Sequence, residues 1–317
     1  MIRVACFFLT LLAFAPTAIA QGWPSRQITI VVPFPAGALS DAAARILQPR
    51  LSEALAQPVV IENKGGAGGV IGSTFVARSQ PDGYTLLVTV NAPIVMAPAL
   101  QKSYPFDPLK ALAGVSLLTE TYLALAVRSD SPIQSIADVV RLARERPLTF
   151  GSAGVGSAHQ IAGSLLNAKA GISINHVPFQ GGGPAVQALA GGHIDMSFAT
   201  LPSLTALVKD GKLRLVALAE PKRYAGIPGL PTINETVAGV ETTSWVGMFA
   251  PAGTPKAVLE KLYGAVSEAL QTPDVRDKMF ALGMVPVPKG PDDFDRLIAE
   301  DLKFWQAAVE VAKIEKQ

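Results

Sequence analysis

From Ile28 onward the chain alternates short β-branched or leucine-rich runs with amphipathic stretches, and loops rich in Gly and Pro separate them. A buried apolar run needs cover on both faces, and a helix between two such runs supplies it, so the pattern predicts an α/β fold built on mostly parallel sheets. Residues 28–32 (ITIVV) predict a strand, 33–37 a loop, and Ser40 opens a helix to about Leu55. Residues 59–62 predict the next strand, 64–69 a glycine-rich loop, 70–78 a helix, and 85–90 a strand after the Pro81-Asp82-Gly83 turn. A second block repeats the pattern. It has strands at 123–127 and 148–150, a helix opened by Ser135 with Asp138 in the capping-box position, and a helix from Ala158. Further strands are predicted at 174–177, 196–199 and 213–219. Thr254-Pro255 predicts a helix start with Thr254 as N-cap, and 294–312 the closing helix.

Residues 1–20 (MIRVACFFLTLLAFAPTAIA) have the form of an export signal: Arg3 as the positive region, an apolar stretch, then Ala18-Ile19-Ala20 as a small-x-small cleavage site. Cleavage is expected after Ala20, which places the mature chain outside the cytoplasm, in an oxidising compartment. The apolar stretch falls short of the roughly 20 residues that span a bilayer, and Pro16 breaks it. Cys6 lies inside the leader, so the mature chain has no cysteine and neither disulfide nor thiol chemistry. Lys and Arg number 27 against 25 Asp and Glu, with no clustered cations, which argues against nucleic-acid or anionic-membrane partners.

Five loops follow predicted strands: 33–41 (PFPAGALSD), 89–93 (TVNAP), 151–157 (GSAGVGS), 178–184 (PFQGGGP) and 199–202 (ATLP). Open α/β sheets bind ligands outside the carboxyl ends of their strands, and helix N-termini there favour anions. None of the five contains Lys or Arg. An anion would be held by backbone amides, by the hydroxyls of Ser40, Ser152 and Ser157, by the amides of Asn91 and Gln180, and by water. Asp41, in the first turn of its helix, is expected to stabilise that turn. Thr89, Phe179, Ala199 and Leu201 complete the candidate set.

Enzyme signatures are missing. The sequence has no G-x-S-x-G elbow, Walker A motif or H-E-x-x-H pair. Gly65, Gly66, Gly68, Gly69 and Gly72 are out of register for a dinucleotide fingerprint. His159, His176 and His193 lack metal-ligand spacing, and His176 reads as a structural imidazole. Ser152, His159 and Asp195 supply the residue types of a catalytic triad, which only geometry can establish. The expectation is a binding protein with no metal and no cofactor.

The run VVPFPAGALSDAAARILQPRLSEALAQPVVIENKGGAGGVIGSTFVARSQPDGYTLL, followed by GSAGVGSAHQIAG, NHVPFQGGGPAVQALAGGHIDMSF, LPSLTALVKDGKLRLVALAEPKR, GLPTINE and SWVGMFAPAGTPKAVLEKL, resembles the Bug family. These are the TctC-like extracytoplasmic solute receptors of tripartite tricarboxylate transport systems. The resemblance implies a monomeric two-lobed Venus flytrap, with one domain over 21–122 and 245–317, a second over 123–244, and crossings near 121–124 and 242–246. It implies a small carboxylate held partly through water by Phe34, Ala36, Gly37, Ser40 and Asp41 and by Ser152, Ala153, Gly154, Gly156, Ser157 and His159. It also implies delivery to two membrane subunits.

Two departures stand out. The family's PFPPGGxTD becomes PFPAGALSD, and the polar residue, often Asp, common at the position of Ala199 is missing. The second departure removes a partner for an amino acid's ammonium group, and with Val155 and Leu201 it favours an aromatic or medium-chain acid. Two other functions fit the same chain: a receptor signalling to a membrane kinase, and a secreted serine hydrolase acting through Ser152 or Ser157.

Overall fold

The computed structural model describes residues 22–312 and 314–316. The leader expected over 1–20 lies outside the described residues. In chain order the strands are β1 Ile28–Val32, β2 Val59–Asn63, β3 Thr85–Val90, β4 Leu112–Glu120, β5 Leu123–Arg128, β6 Leu148–Ser152, β7 Ile174–Pro178, β8 Met196–Thr200, β9 Leu213–Leu218, β10 Trp245–Pro251 and β11 Val285–Lys289. The helices are α1 Leu39–Leu55, α2 Val70–Ala77, α3 Ala97–Leu100, α4 Pro108–Ala111, α5 Ile136–Glu145, α6 Ala158–Ala170, α7 Gly182–Ala190, α8 Leu201–Lys209, α9 Lys256–Gln271, α10 Pro273–Ala281 and α11 Pro291–Val311. A 3-10 turn, Ala67–Gly69, leads into α2, and a π-helical turn, Ala92–Met96, leads into α3.

The strands form two sheets, ordered β11-β4-β10-β3-β1-β2 and β7-β6-β8-β5-β9, each flanked by helices in a two-lobed α/β architecture. Strand β1 lies between two parallel partners, Ile28 opposite Val59 and Thr29 opposite Thr85, which is why ITIVV is apolar on both faces. Both sheets are mixed rather than mostly parallel. Strand β10 runs antiparallel to β3 and β4, and β5 runs antiparallel to β8 and β9. These are the strands the chain enters on passing from one sheet to the other, so they run against the strand–helix–strand units beside them.

Helix α5 starts as its sequence requires: the Ser135 side chain and the Asp138 backbone close a capping box, and Ile136, Val139 and Leu142 are buried along one face. Helix α9 begins one residue later than expected. Thr254 Oγ1 donates to the Pro251 carbonyl at 2.7 Å instead of capping, which leaves Pro255 as the N-cap residue.

Strands β4, β10 and β11 are not evident in the sequence. Strand β11 (VPVPK) carries two prolines, tolerated because it is a sheet edge. Strand β10 (WVGMFAP) is buried along its whole length and carries Gly247 at a close crossing: a Cβ there would collide with the Phe294 ring of α11.

The chain passes between the sheets twice, and the passages are bonded to each other. Thr121 N–H donates to the Ser244 carbonyl at 2.8 Å, and the Thr121 and Ser244 hydroxyls are 2.7 Å apart. A buried carboxylate fixes each passage. Glu220 accepts from Leu123 N–H at 2.9 Å, and Asp301 accepts from Trp245 Nε1 at 2.7 Å and from the Thr243 hydroxyl at 2.9 Å. Burial raises the pKa of both acids. One buried cluster runs from Val31 and Leu87 through Trp245 and Trp305 to Leu125, Phe150 and Leu165, so the two sheets share a continuous core.

Candidate ligand-binding site

Because β1 and β3 are parallel, loops 33–41 and 89–93 leave the first sheet at one edge. Because β6 is parallel to β7 and β8, loops 151–157, 178–184 and 199–202 leave the second sheet at one edge. The edges meet at a cavity of about 360 Å3, where Ala92, Met96 and Leu100 face Val155 and Gly156.

In the first loop, Asp41 is buried and its carboxylate is fully engaged. It accepts from Gly37 N–H, Arg45 Nε and Asn63 Nδ2, each at 2.8 Å. The Arg45 hydrogen bond is the main cause that lowers its pKa to about 2, against the opposing effect of burial. Asn63 Nδ2 also donates to the Phe34 carbonyl at 3.0 Å, so Asp41 and Asn63 together set the path of 34–37. Ala38 stands at the N-cap of α1 with no side chain to cap the first-turn amides. The hydroxyl of Ser40, on that turn, is buried without a hydrogen-bond partner. Phe34 is half-buried, and Ala36 and Gly37 are exposed.

In the second loop, the Thr89 hydroxyl is likewise buried without a partner. Asn91 faces the return passage: its N–H donates to the Trp245 carbonyl at 3.0 Å and its Nδ2 to the Thr243 carbonyl at 2.7 Å.

The third loop is organised from within. Ser152 Oγ lies 2.6 Å from His176 Nε2 and accepts from Gly154 N–H at 3.1 Å. Ser157 caps α6 by accepting from Gln160 N–H, and it donates to the Gly154 carbonyl at 2.7 Å. Gly154 sits at φ +123°, a conformation that side chains disfavour. Gly156 N–H is taken by Gln160 Oε1 at 2.6 Å. Among the described residues this leaves the amides of Ala153 and Val155 without acceptors. His159 has an unpartnered, buried Nδ1, and burial lowers its pKa to about 4, so it is neutral at ordinary pH.

In the remaining loops, Phe179 N–H donates to the Ser152 carbonyl at 3.1 Å, while Gln180 is exposed. Helices α7 and α8 begin without side-chain caps onto their backbones. Ala199 is fully buried. Leu201 points elsewhere: its N–H bonds to the Tyr122 carbonyl, and it lines a separate cavity of about 680 Å3 with Tyr122, Tyr224 and Phe280.

The triad of Ser152, His159 and Asp195 does not assemble. Ser152 is sealed and faces His176, while Asp195 is engaged by Thr149 and Arg146. His176 is the residue that sequence reasoning undervalued. The parallel register placing Phe150 beside His176 also brings Ser152 within its reach, and the imidazole stacks on Phe150 at 5.0 Å. Met96 and Leu100 were also missed, because they lie past the end of the second loop.

Loops of both sheets carry neutral donors without a protein partner, at Ser40 and Thr89 on one and at Ala153 and Val155 on the other, and Val155 also lines the cavity. Residues 43–314 match the family described as tripartite tricarboxylate transporter family receptor. The chain belongs to this family. It is similar to the periplasmic binding protein BugD, at 32% identity with a TM-score of 0.74 over 93% of this chain and 100% of that one. It is similar to an R. palustris protein solved with adipate, at 31% identity with a TM-score of 0.78 over 92% and 99% of the two chains. It is also similar to MatC of Rhodopseudomonas palustris, solved with bound malate, at 33% identity with a TM-score of 0.73 over 90% and 100%. The family is one of transporter receptors rather than enzymes, BugD is a periplasmic binding protein, and the two R. palustris proteins were solved with the carboxylates adipate and malate.

Proposed function

We propose that the exported chain, cleaved after Ala20, closes two lobes on a small carboxylate and delivers it, as a monomer, to two membrane subunits of a tripartite tricarboxylate transporter. The lobes are 21–122 with 245–317, and 123–244. The two sheets respect this division, since each draws all its strands from one side of it.

The observation that carries the reading is that loops of both sheets carry donors without a partner in the protein. The uncapped first turn of α1 and the unpartnered hydroxyls of Ser40 and Thr89 stand on one side, and the amides of Ala153 and Val155 with neutral His159 on the other. For the buried Ser40 and Thr89 hydroxyls and His159 Nδ1, lacking a partner costs roughly 1–3 kcal/mol each, which a carboxylate and its bridging waters would recover. Because the donors are split between lobes, the ligand favours the closed state by contacts it cannot make in the open one. Phe34, Ala36 and Gly37 border the first group of donors. Asp41, Asn91, Ser152, Gly154, Gly156 and Ser157 hold the loops in shape, and Phe179 and Gln180 flank the third loop. With Ala199 buried and carrying no charge, that position offers no acid to an amino acid's ammonium, which disfavours amino acids.

A thermal-shift screen of the mature chain against carboxylates, amino acids and sugars tests this. A ligand at about 100 times its dissociation constant adds roughly 2.7 kcal/mol of apparent stability. Stabilisation by carboxylates alone is expected. Stabilisation by sugars or by aspartate and glutamate, with none by other carboxylates, contradicts the reading.

A further inference from the structure

The cavity where the two sheet edges meet is lined mainly by apolar side chains, with Gln101 and Glu315 as its polar members. Met96 and Leu100 come from the segment after β3, Val155 and Gly156 from the loop after β6, and Ile314 and Glu315 from the chain beyond α11. Ile314 packs on the main core and its N–H donates to the Val309 carbonyl at 3.1 Å, so the wall it forms is anchored. Among the described residues no Lys, Arg or His lines the cavity, and its one charged side chain is an acid, Glu315. Its volume of about 360 Å3 suits a small ligand body.

The amides of Ala153 and Val155 belong to the same loop as Val155 and Gly156 in the wall. A carboxylate held on those amides therefore has this cavity beside it for the rest of the molecule. A second carboxylate placed there would lose water and face Glu315, with the neutral amide of Gln101 but no cation among the described lining residues to offset the loss, whereas an apolar chain would lose only its contact with water.

We infer that this cavity takes the apolar body of a ligand carrying one carboxylate, so that the receptor selects monocarboxylic acids over dicarboxylic acids of the same length. The inference rests on the carboxylate-receptor reading above and adds the class of acid, with Met96, Leu100, Val155 and Ile314 as the residues that set it.

Calorimetric titration of the mature chain with butanoate, hexanoate, octanoate and octanedioate, alongside malate and adipate, tests it. The dissociation constant is expected to fall about fourfold for each added methylene until the cavity is filled. Octanoate is expected to bind at least tenfold more tightly than octanedioate. Val155→Asp, at an exposed position that folding tolerates, flattens the dependence on chain length, and Leu100→Asn does the same from the opposite wall. Binding of malate, adipate or octanedioate in preference to the monocarboxylates overturns the inference and leaves the carboxylate receptor standing. A flat response across the monocarboxylates does the same. Failure of every acid to bind overturns both.

Discussion

Asp41 Oδ2 accepts from the Gly37 N–H at 2.8 Å, so the first helical turn of α1 holds the loop in front of it with its own carboxylate. An acid beside the proposed carboxylate site is contrary on charge alone. Here it is neutralised by Arg45 and occupied by Asn63, and it orders the loop's backbone.

Asp41→Ala removes the acceptor for three donors and leaves the Gly37 amide and the Asn63 side chain without it. A loss of about 3 kcal/mol in urea unfolding is expected, with weaker ligand binding in the folded fraction. Arg45→Met, on a half-exposed side chain, should cost less than about 1 kcal/mol. Equal effects for the two variants would contradict this role for Asp41.

The Ser40 and Thr89 hydroxyls are buried and find no partner among the described residues. Ser40→Ala and Thr89→Val should therefore leave the unliganded melting temperature unchanged or raise it, while each weakens carboxylate binding by about tenfold. A drop in unliganded stability without a change in affinity would assign the hydroxyls to the fold instead.

Burial lowers the pKa of His159 from 6.5 to about 4, so the unfolded chain binds a proton at pH values where the folded chain does not. The stability this gives is present above about pH 6.5 and is lost as pH falls toward 4. Glu220, whose pKa burial raises, acts in the opposite sense: its contribution is full below 4.5 and lost as pH rises. Comparison with His159→Gln isolates the histidine. Between pH 7 and pH 4, wild-type stability should fall relative to the variant by about 3 kcal/mol. A constant difference across that range would contradict the burial of the imidazole.

Gly247→Ala puts a methyl group into the Phe294 ring where α11 crosses β10. Overpacking of this kind costs about 1–3 kcal/mol, and the loss should show in chemical unfolding of the unliganded protein. A neutral result would mean that α11 crosses β10 less closely.

Much of this fold is legible before any coordinates. ITIVV and TLLVTV are short apolar runs bounded by Gly and Pro, and their assignment as β1 and β3 follows from that punctuation. Strand β11 is hidden by its prolines, and β10 by lying at the return passage between sheets. The mixed sense of the sheets is invisible to periodicity, because a buried run reads the same in either direction. At the site, the loops are legible as strand ends rich in Gly and Pro, but the use of each side chain is not. Ser152, Ser157 and Asn91 read as ligand donors by chemistry, yet their hydrogen bonds close within the protein, whereas Asp41, expected to stabilise its own turn, accepts from the loop in front of it. His176 acquires its partner only through the register of β6 with β7, which lies beyond the reach of local sequence. Leu201 bonds to Tyr122 across the passage, and that long-range contact takes it to the other cavity.

The most direct test of capture between two lobes uses the absence of cysteine from 21–317. Cysteines introduced at the exposed positions Ile71 and Gln180, one in each proposed lobe, accept a fluorescent donor and acceptor for measurement of the interlobe distance. Titration with the carboxylate that stabilises the chain should shorten that distance saturably, at one ligand per chain. Saturable binding with an unchanged distance would contradict closure of two lobes on the ligand.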